Sequence, residues 1–417
     1  MTSLTNPTAE SGADPAAVAV ATPDDLRALI RRKSRLKGRQ PEDTALAEVA
    51  ALLGERPPEG FRRDLLIEYL HRLNDHFGVL HLRHLVALAR LLNLPLAEVH
   101  EVASFYHHFE IVRSDSAPAP RLVLRVCDSL SCSMAGSADL LAQLPQRLRA
   151  AGHGDVQVQA VPCVGRCAQA PVAVLHQHPL PQATVAGVLH AVDLMPNRSL
   201  AQHPCAQAAM NFDVAAHAPC SIPPADAADA ADAADAAVGA DAVAPAVTDL
   251  ATYRAHGGYA LATALAHGEM DAEQALTALE DAGLRGLGGA GFPAGRKWRI
   301  VREQPAPRLL AVNIDEGEPG TFKDRTYLER DPHRFLEGVL IAAQVAGTEA
   351  VYIYLRDEYH GCRAVLQQAL AQLQAQPPCP LPQIELRRGA GAYICGEESA
   401  MLESIEGRRG QPRLRPP

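Results

Sequence analysis

Residues 307–325 read PRLLAVNIDEGEPGTFKDR. LLAVNI, Leu309 to Ile314, has the length and composition of a buried strand. It runs straight into an acidic glycine loop containing Asp315, Glu316, Gly317, Glu318 and Gly320. Downstream, HRFLEGVLIAAQVAG reads as a helix, EAVYIYLR as a strand and GCRAVLQQALAQLQAQ as a helix. PQIELRRGAGAYICGEESAMLESIEG then gives a strand, a glycine turn and a helix. Strands alternating with helices predict a parallel α/β sheet. Upstream lie two helical stretches, DLATYRAHGGYALATALAHG and DAEQALTALEDAGL, and then a second glycine loop.

That second loop, LRGLGGAGFPAGRKW from Leu284 to Trp298, spells G-x-G-x-x-G through Gly286, Gly288 and Gly291. A dinucleotide-binding fingerprint needs a strand directly before it and a helix opening from it. Here a helix pattern precedes the loop, and Pro293 and Gly295 are expected to hold it open. Asp315 falls near the place of a ribose-binding acid, which keeps a remnant of the fingerprint reading. A phosphate or flavin loop fits better. Glycines let backbone N–H groups approach an anion, and Lys297 can pair with a phosphate or polarise a ring. The plain alternative is a turn with a solvated lysine. For Asp315, Glu316 and Glu318 it is a solvated acidic loop.

The first half of the chain carries a different pattern. DDLRALIRRKSRL, RDLLIEYLHRLNDHFG, LRHLVALARLLNL and PLAEVHEVASFYHHF show helical spacing of apolar residues. From Arg121 the pattern becomes strand (RLVLRV), helix (SADLLAQLPQRLRAAG), strand (VQVQAV) and strand (PVAVLH), a small α/β domain. Cys127 and Cys132 follow its first strand as C-x4-C, and Cys163 and Cys167 follow its second as C-x3-C. Parallel strands would bring both loops to one sheet edge. Four convergent thiolates suit a zinc ion or a [2Fe-2S] cluster, and the wide spacing favours the cluster. Four buried thiols are the bland reading. A Cys2His2 zinc site using His176 or His178 would leave one cysteine pair idle. Cys205, Cys220, Cys362, Cys379 and Cys395 show no ligand spacing.

Composition bounds the rest. The 417 residues allow two or three domains, and 47 % apolar content allows a sizeable core. A net charge of -9 argues against nucleic-acid and anionic-membrane partners. No apolar run is long enough to span a membrane. The N-terminus lacks the features of a secretory signal, and nine cysteines suit metal or cluster ligation in a reducing compartment. The expected location is the cytoplasm, peripheral to the inner membrane only through partners. The expected organisation is a disordered lead-in (1–22), a helical bundle (23–112), a cysteine-bearing domain (113–193), a linker (194–247, Ala/Asp-rich at 223–247) and an α/β domain (248–417).

VHEVASFYHHF (Val99–Phe109), the C-x4-C pair and VPCVGRCAQAPV (Val161–Val172) resemble the thioredoxin-like [2Fe-2S] subunit of respiratory complex I over about Pro23 to Asp193. VNIDEGEPGTFKDR, GAGAYICGEESAMLESIEG and the Leu284–Trp298 loop resemble its NADH- and FMN-binding flavoprotein subunit from about Leu250 onward. The same module serves soluble NAD-reducing hydrogenases and NAD-dependent formate dehydrogenases. The resemblance implies that Cys127, Cys132, Cys163 and Cys167 ligate a [2Fe-2S] cluster. It implies that Gly286, Gly288, Gly289 and Lys297 hold FMN, with Asn313, Asp315 and Glu316 on its ribityl chain and ring. Tyr393, Gly396, Glu397 and Glu398 would close the pocket. Phe292 would stack on the adenine or nicotinamide side, Glu318 would meet NAD(H), and Arg415 takes the place of a basic residue near the dinucleotide.

The fold so implied is α/β: a helical bundle, a thioredoxin-like domain, a linker and an incomplete Rossmann-like FMN/NADH domain. Its function would be an NADH dehydrogenase (diaphorase) module with iron–sulfur partner subunits of a complex I-like, hydrogenase or formate dehydrogenase assembly. Leu287 stands where the family usually has Arg. The family's [4Fe-4S] ligands, C-x2-C-x2-C…C, are absent from this chain, and its flavin site is expected to be incomplete. A second reading is therefore a non-enzymatic [2Fe-2S] electron-transfer or assembly subunit.

Overall fold

A computed structural model describes residues 39–113, 120–195, 246–286 and 290–414. The lead-in, the helix expected from DDLRALIRRKSRL and most of the linker lie outside them, as do Cys205, Cys220, Gly288, Gly289 and Arg415.

The N-terminal bundle has helices at Asp43–Leu53, Leu66–Phe77, Leu82–Leu92 and Leu96–Phe105. The three helices expected from the sequence in this region all form. A two-residue parallel pair, β1 (Leu80–His81) with β2 (Ile111–Val112), ties the bundle's end to its middle.

The cysteine-bearing domain is a four-stranded sheet in the order β4-β3-β5-β6. β3 (Leu122–Cys127) and β4 (Val156–Val161) are parallel, joined by the helix Ser137–Ala150. β5 (Ala173–Leu175) and β6 (His178–Leu180) complete it antiparallel. The register sets Cys127 opposite Val161. Both cysteine loops therefore leave the same edge, as the spacing predicts.

The C-terminal domain is a three-stranded parallel sheet with β8 (Ala350–Leu355) between β7 (Leu309–Ile314) and β9 (Gln383–Arg388). Each strand is six residues long and in step, so all three loops emerge level at their carboxyl ends. Alternation along β8 decides what covers each face. Val351, Ile353 and Leu355 join the core formed with the helices Pro332–Ala346 and His360–Ala375. Tyr354, flanked by Tyr352, packs with the helical bundle instead, in a core shared by Leu70, Tyr106, Cys395 and Met401. The bundle is thus the second layer over this sheet.

Polar contacts fix that docking. Arg387, buried, pairs with Asp64 at 2.5 Å and Glu385 at 2.9 Å. The Tyr106 hydroxyl donates to the Arg408 carbonyl at 2.7 Å and lies 2.9 Å from Ser404 Oγ. No described helix is long and apolar enough to cross a membrane.

Candidate functional site

β3 and β4 place the four cysteines. Cys127 ends β3 and Cys163 lies two residues beyond β4. Cys132 sits on a short helix, Leu130–Met134, that sequence periodicity misses because five residues are too few to show a period. Cys167 opens a 3-10 turn. Cys127, Cys132 and Cys163 are buried and Cys167 is half-buried. The Cys127 thiol meets those of both Cys132 and Cys163, and Cys163 Sγ lies 3.4 Å from Cys167 Sγ. The bond from Cys127, then burial, push the Cys163 thiol far above its usual range, whereas the bond from Cys127 pulls Cys132 down. Four sulfurs converge in an apolar shell of Val161, Val164, Val172 and Val174. That donor set fits a [2Fe-2S] group.

Backbone N–H groups point at these sulfurs. Gly165 N donates to Cys163 Sγ at 3.4 Å. Gly320 N, 153 residues away in the acidic glycine loop, donates to Cys167 Sγ at 3.1 Å. The cysteine edge and the carboxyl end of β7 therefore face each other.

Arg356, just past β8, holds both sides. Its guanidinium donates to the Glu316 carbonyl and, at 2.5 Å, to the Cys163 carbonyl. Its Nε donates to Glu358 at 3.2 Å, and it lies over the Tyr359 ring. Gly165 has φ +70° and packs on that ring so closely that a Cβ would overlap it. Only glycine meets both demands.

In the crevice beyond the three strands, Asn313 donates to the Gly396 carbonyl at 2.9 Å and accepts from Asp315 N at 3.0 Å. The acidic loop and the turn after β9 are thereby joined. The Tyr393 hydroxyl donates to Glu318. A Cβ on Gly317 would come within 2.7 Å of the Tyr393 ring, so glycine permits this stacking. Tyr393 is 63 % and Phe292 44 % exposed, two aromatic faces left open.

Glu316 departs from its expected role. It is buried, and its carboxylate accepts from Asp324 N, Arg325 N and the Tyr359 hydroxyl at 2.8–3.2 Å. Both oxygens are thus occupied by the N-terminus of the helix Lys323–Arg330 and by Tyr359. Glu397 likewise caps the helix Glu398–Ile405 through Ala400 N, and Glu398 is exposed in its first turn. A carboxylate at a helix start is stabilised by the helix dipole, which sequence spacing alone does not separate from ligand contact.

The glycine loop is approached by the helix Ala272–Asp281, not by a strand. Its neck is pinned by an Arg285–Pro293 bridge and by Gly286 N donating to the Phe292 carbonyl at 2.9 Å. The expectation that Pro293 and Gly295 keep the chain open is corrected. A helix starts at Ala294 with Pro293 as its cap, and Gly295 is buried against the backbone of Leu276 and Glu280. Lys297 lies exposed on that helix.

Asp315 is the chemically distinctive carboxyl. Its Oδ2 is buried with no partner, while the residue as a whole is half-buried. Desolvation pushes its pKa up to about 7, against the pull of Arg356. A raised carboxyl pKa means folding favours the protonated form. Its stability contribution is complete below the unfolded value near 3.8 and is lost as pH rises through about 7. Asp315→Asn is therefore expected to be as stable as the parent at pH 4 and about 1–3 kcal/mol more stable at pH 8, discounted for partial exposure. Urea melts of the cofactor-free chain at the two pH values measure this; equal differences at both would refute the burial argument.

A family model described as the thioredoxin-like [2Fe-2S] ferredoxin matches residues 50–195, and one described as the Nuo51 FMN-binding domain matches residues 279–417. The chain joins a thioredoxin-like [2Fe-2S] domain to a Nuo51 FMN-binding domain. An NADH-quinone oxidoreductase protein of Rhizobium meliloti is 47 % identical over 178 residues, 40 % of this chain and 42 % of that protein. An NADH-quinone oxidoreductase protein of Aquifex aeolicus is 43 % identical over 182 residues, 42 % of each. A solved NAD+-reducing [NiFe]-hydrogenase in the H2-reduced state matches 85 % of this chain and 56 % of its own, at TM-score 0.61 and 31 % identity. The chain thus spans about two fifths of the length of these curated relatives.

Within the FMN-binding domain the residues present suit the group of its name. An unpartnered buried carboxyl oxygen at Asp315, glycines at 317 and 396 where a side chain would crowd, and the open face of Tyr393 stand together. Ring and ribityl hydroxyls want such acceptors and close backbone.

Proposed function

We propose that the chain is an NADH dehydrogenase (diaphorase) module that moves electrons between NAD(H), FMN and a [2Fe-2S] cluster. The observation that carries this is the bond from Gly320 N to Cys167 Sγ, which sets the cysteine edge against the acidic loop of the flavin crevice. FMN, when bound, would supply the chemistry that links two-electron hydride transfer to one-electron iron–sulfur centres. The chain's own residues do the holding. Cys127, Cys132, Cys163 and Cys167 are the cluster ligands. Asn313 and Asp315 face the ribityl and ring atoms, with Gly286, Gly288, Gly289 and Lys297 at the phosphate. Glu318 and Tyr393 take the ribose side of NADH, and Phe292 stacks on it. Gly396, Glu397 and Glu398 close the turn, and Arg415 assists at the dinucleotide. Glu316 serves by fixing the loop's backbone.

Electrons leave to iron–sulfur subunits of a complex I-like, hydrogenase or formate dehydrogenase assembly; the likeness to NADH-quinone oxidoreductase proteins and to the hydrogenase supports this reading. We place the module in the cytoplasm, reaching a membrane only through partners; cysteines used as cluster ligands fit a reducing compartment.

The test is anaerobic reconstitution of the full chain with iron, sulfide and FMN. Expected are flavin absorbance, a [2Fe-2S] signal reduced by NADH, and NADH:ferricyanide activity. A cluster signal without FMN retention would instead favour the non-enzymatic [2Fe-2S] reading for this chain.

A further inference from the structure

Where the bundle, the [2Fe-2S] domain and the sheet of the FMN-binding domain meet, two histidines and a carboxylate gather away from both cofactor sites. His71 and Asp75 lie one turn apart on the helix Leu66–Phe77, and His108 follows the helix Leu96–Phe105. One ligand atom from each lies within 4.8 Å of the others. We propose that His71, Asp75 and His108, all from the bundle, form a binding site for a divalent transition metal of the zinc class at this three-way junction.

Each histidine already has the outer partner that a metal-bound imidazole uses. His71 Nε2 lies 2.8 Å from the Gly389 carbonyl, so it carries the proton, and Nδ1 keeps a lone pair. That Nδ1 is buried without a partner, on a side chain 2 % exposed. His108 Nδ1 lies 2.8 Å from Asp357 Oδ2, which leaves Nε2 as the donor to a metal. Asp75 accepts from Arg388 at 2.6 Å, an outer contact that orients the carboxylate. Asn74 Nδ2 stands 3.2 Å from His108 Nε2 and marks the direction a metal would take; binding displaces it.

A cavity of about 40 Å³ opens on Asn74, Asp75, His108 and His176. It has room for one water as a fourth ligand. In a tetrahedral zinc site with bonds of about 2.0–2.2 Å, neighbouring ligand atoms stand roughly 3.4 Å apart. Metal binding therefore draws these atoms together from separations of up to 4.8 Å. Two imidazoles and a carboxylate with an open position suit zinc, cobalt or nickel rather than calcium or magnesium.

The test uses the full chain with its cluster loaded, washed with chelator and titrated with ZnCl2 by calorimetry and elemental analysis. One equivalent of zinc is expected to bind, raising the thermal midpoint. His108→Gln and Asp75→Asn are expected to weaken it more than about 10-fold, and Asp357→Asn about 10-fold through its hold on His108. CoCl2 on the parent chain should give, as a difference spectrum against the same cluster-loaded chain without cobalt, nitrogen/oxygen-ligand bands and no cobalt–thiolate charge transfer. No bound equivalent, equal affinity in parent and variants, or a thiolate spectrum would each overturn the site. The cobalt spectrum needs no variant, so a substitution that unfolds the chain does not decide the matter.

Discussion

Cys163→Ser is expected to abolish the [2Fe-2S] cluster while leaving the fold in place. A lost ligand should exceed the ~10–100-fold penalty of a lost outer partner, so iron content and the reduced-cluster signal should fall to background. The fold should persist because the cluster loop is held by other means. Arg356 grips the backbone carbonyl at 163, Gly165 packs on Tyr359, and Arg166 pairs with Glu329 at 3.3 Å. Cys379→Ser is the matched control. It is also a buried thiol, but it lies in the core under β8 beside Gln344. It should keep full cluster content. An intact signal in Cys163→Ser would remove the ligand assignment; a loss in both variants would mean general instability.

Arg356→Met is expected to destabilise the chain by about 3–5 kcal/mol, the range for removing one partner of a buried charged network. The guanidinium is 4 % exposed and satisfies the Glu316 and Cys163 carbonyls and the Glu358 carboxylate together. Methionine fills the volume but leaves those three acceptors unpaired. Arg356→Lys should recover only part of the loss, since an ammonium lacks the planar fork that reaches two carbonyls at once. Urea denaturation gives the stability change. The reduction midpoint of the loaded cluster gives a second reading, because the Cys163 loop would shift against the Gly165 N–H that points at its sulfur. A change under about 1 kcal/mol with an unmoved midpoint would show that Arg356 does not bind the two halves together.

Much of this architecture is legible along the chain. LLAVNI, EAVYIYLR and the Gln383–Arg388 stretch each carry their own strand signal, and the helices between them carry helical spacing. The helix pattern before Gly286 argues against a dinucleotide fingerprint, and that helix forms, Ala272–Asp281. Cysteine spacing at two strand ends predicts convergence because β3 and β4 are parallel neighbours. The errors are local. The Leu130–Met134 helix is too short to show a period, and Pro293 reads as an opening although a proline also starts a helix well.

By itself, then, the sequence determined the three parallel strands of the C-terminal sheet, the cysteine edge and the families to which the two halves belong. Those depend on periodicity, spacing and motif, all properties of short windows. Only the tertiary structure decided that Glu316 turns inward, that Arg356 grips a carbonyl 193 residues away, that Gly320 points at Cys167, and that His71, Asp75 and His108 share one junction. These arise where separately folded surfaces dock. A buried charge or N–H there must find whatever acceptor the opposing surface presents, and no local pattern in the chain encodes which residue that will be.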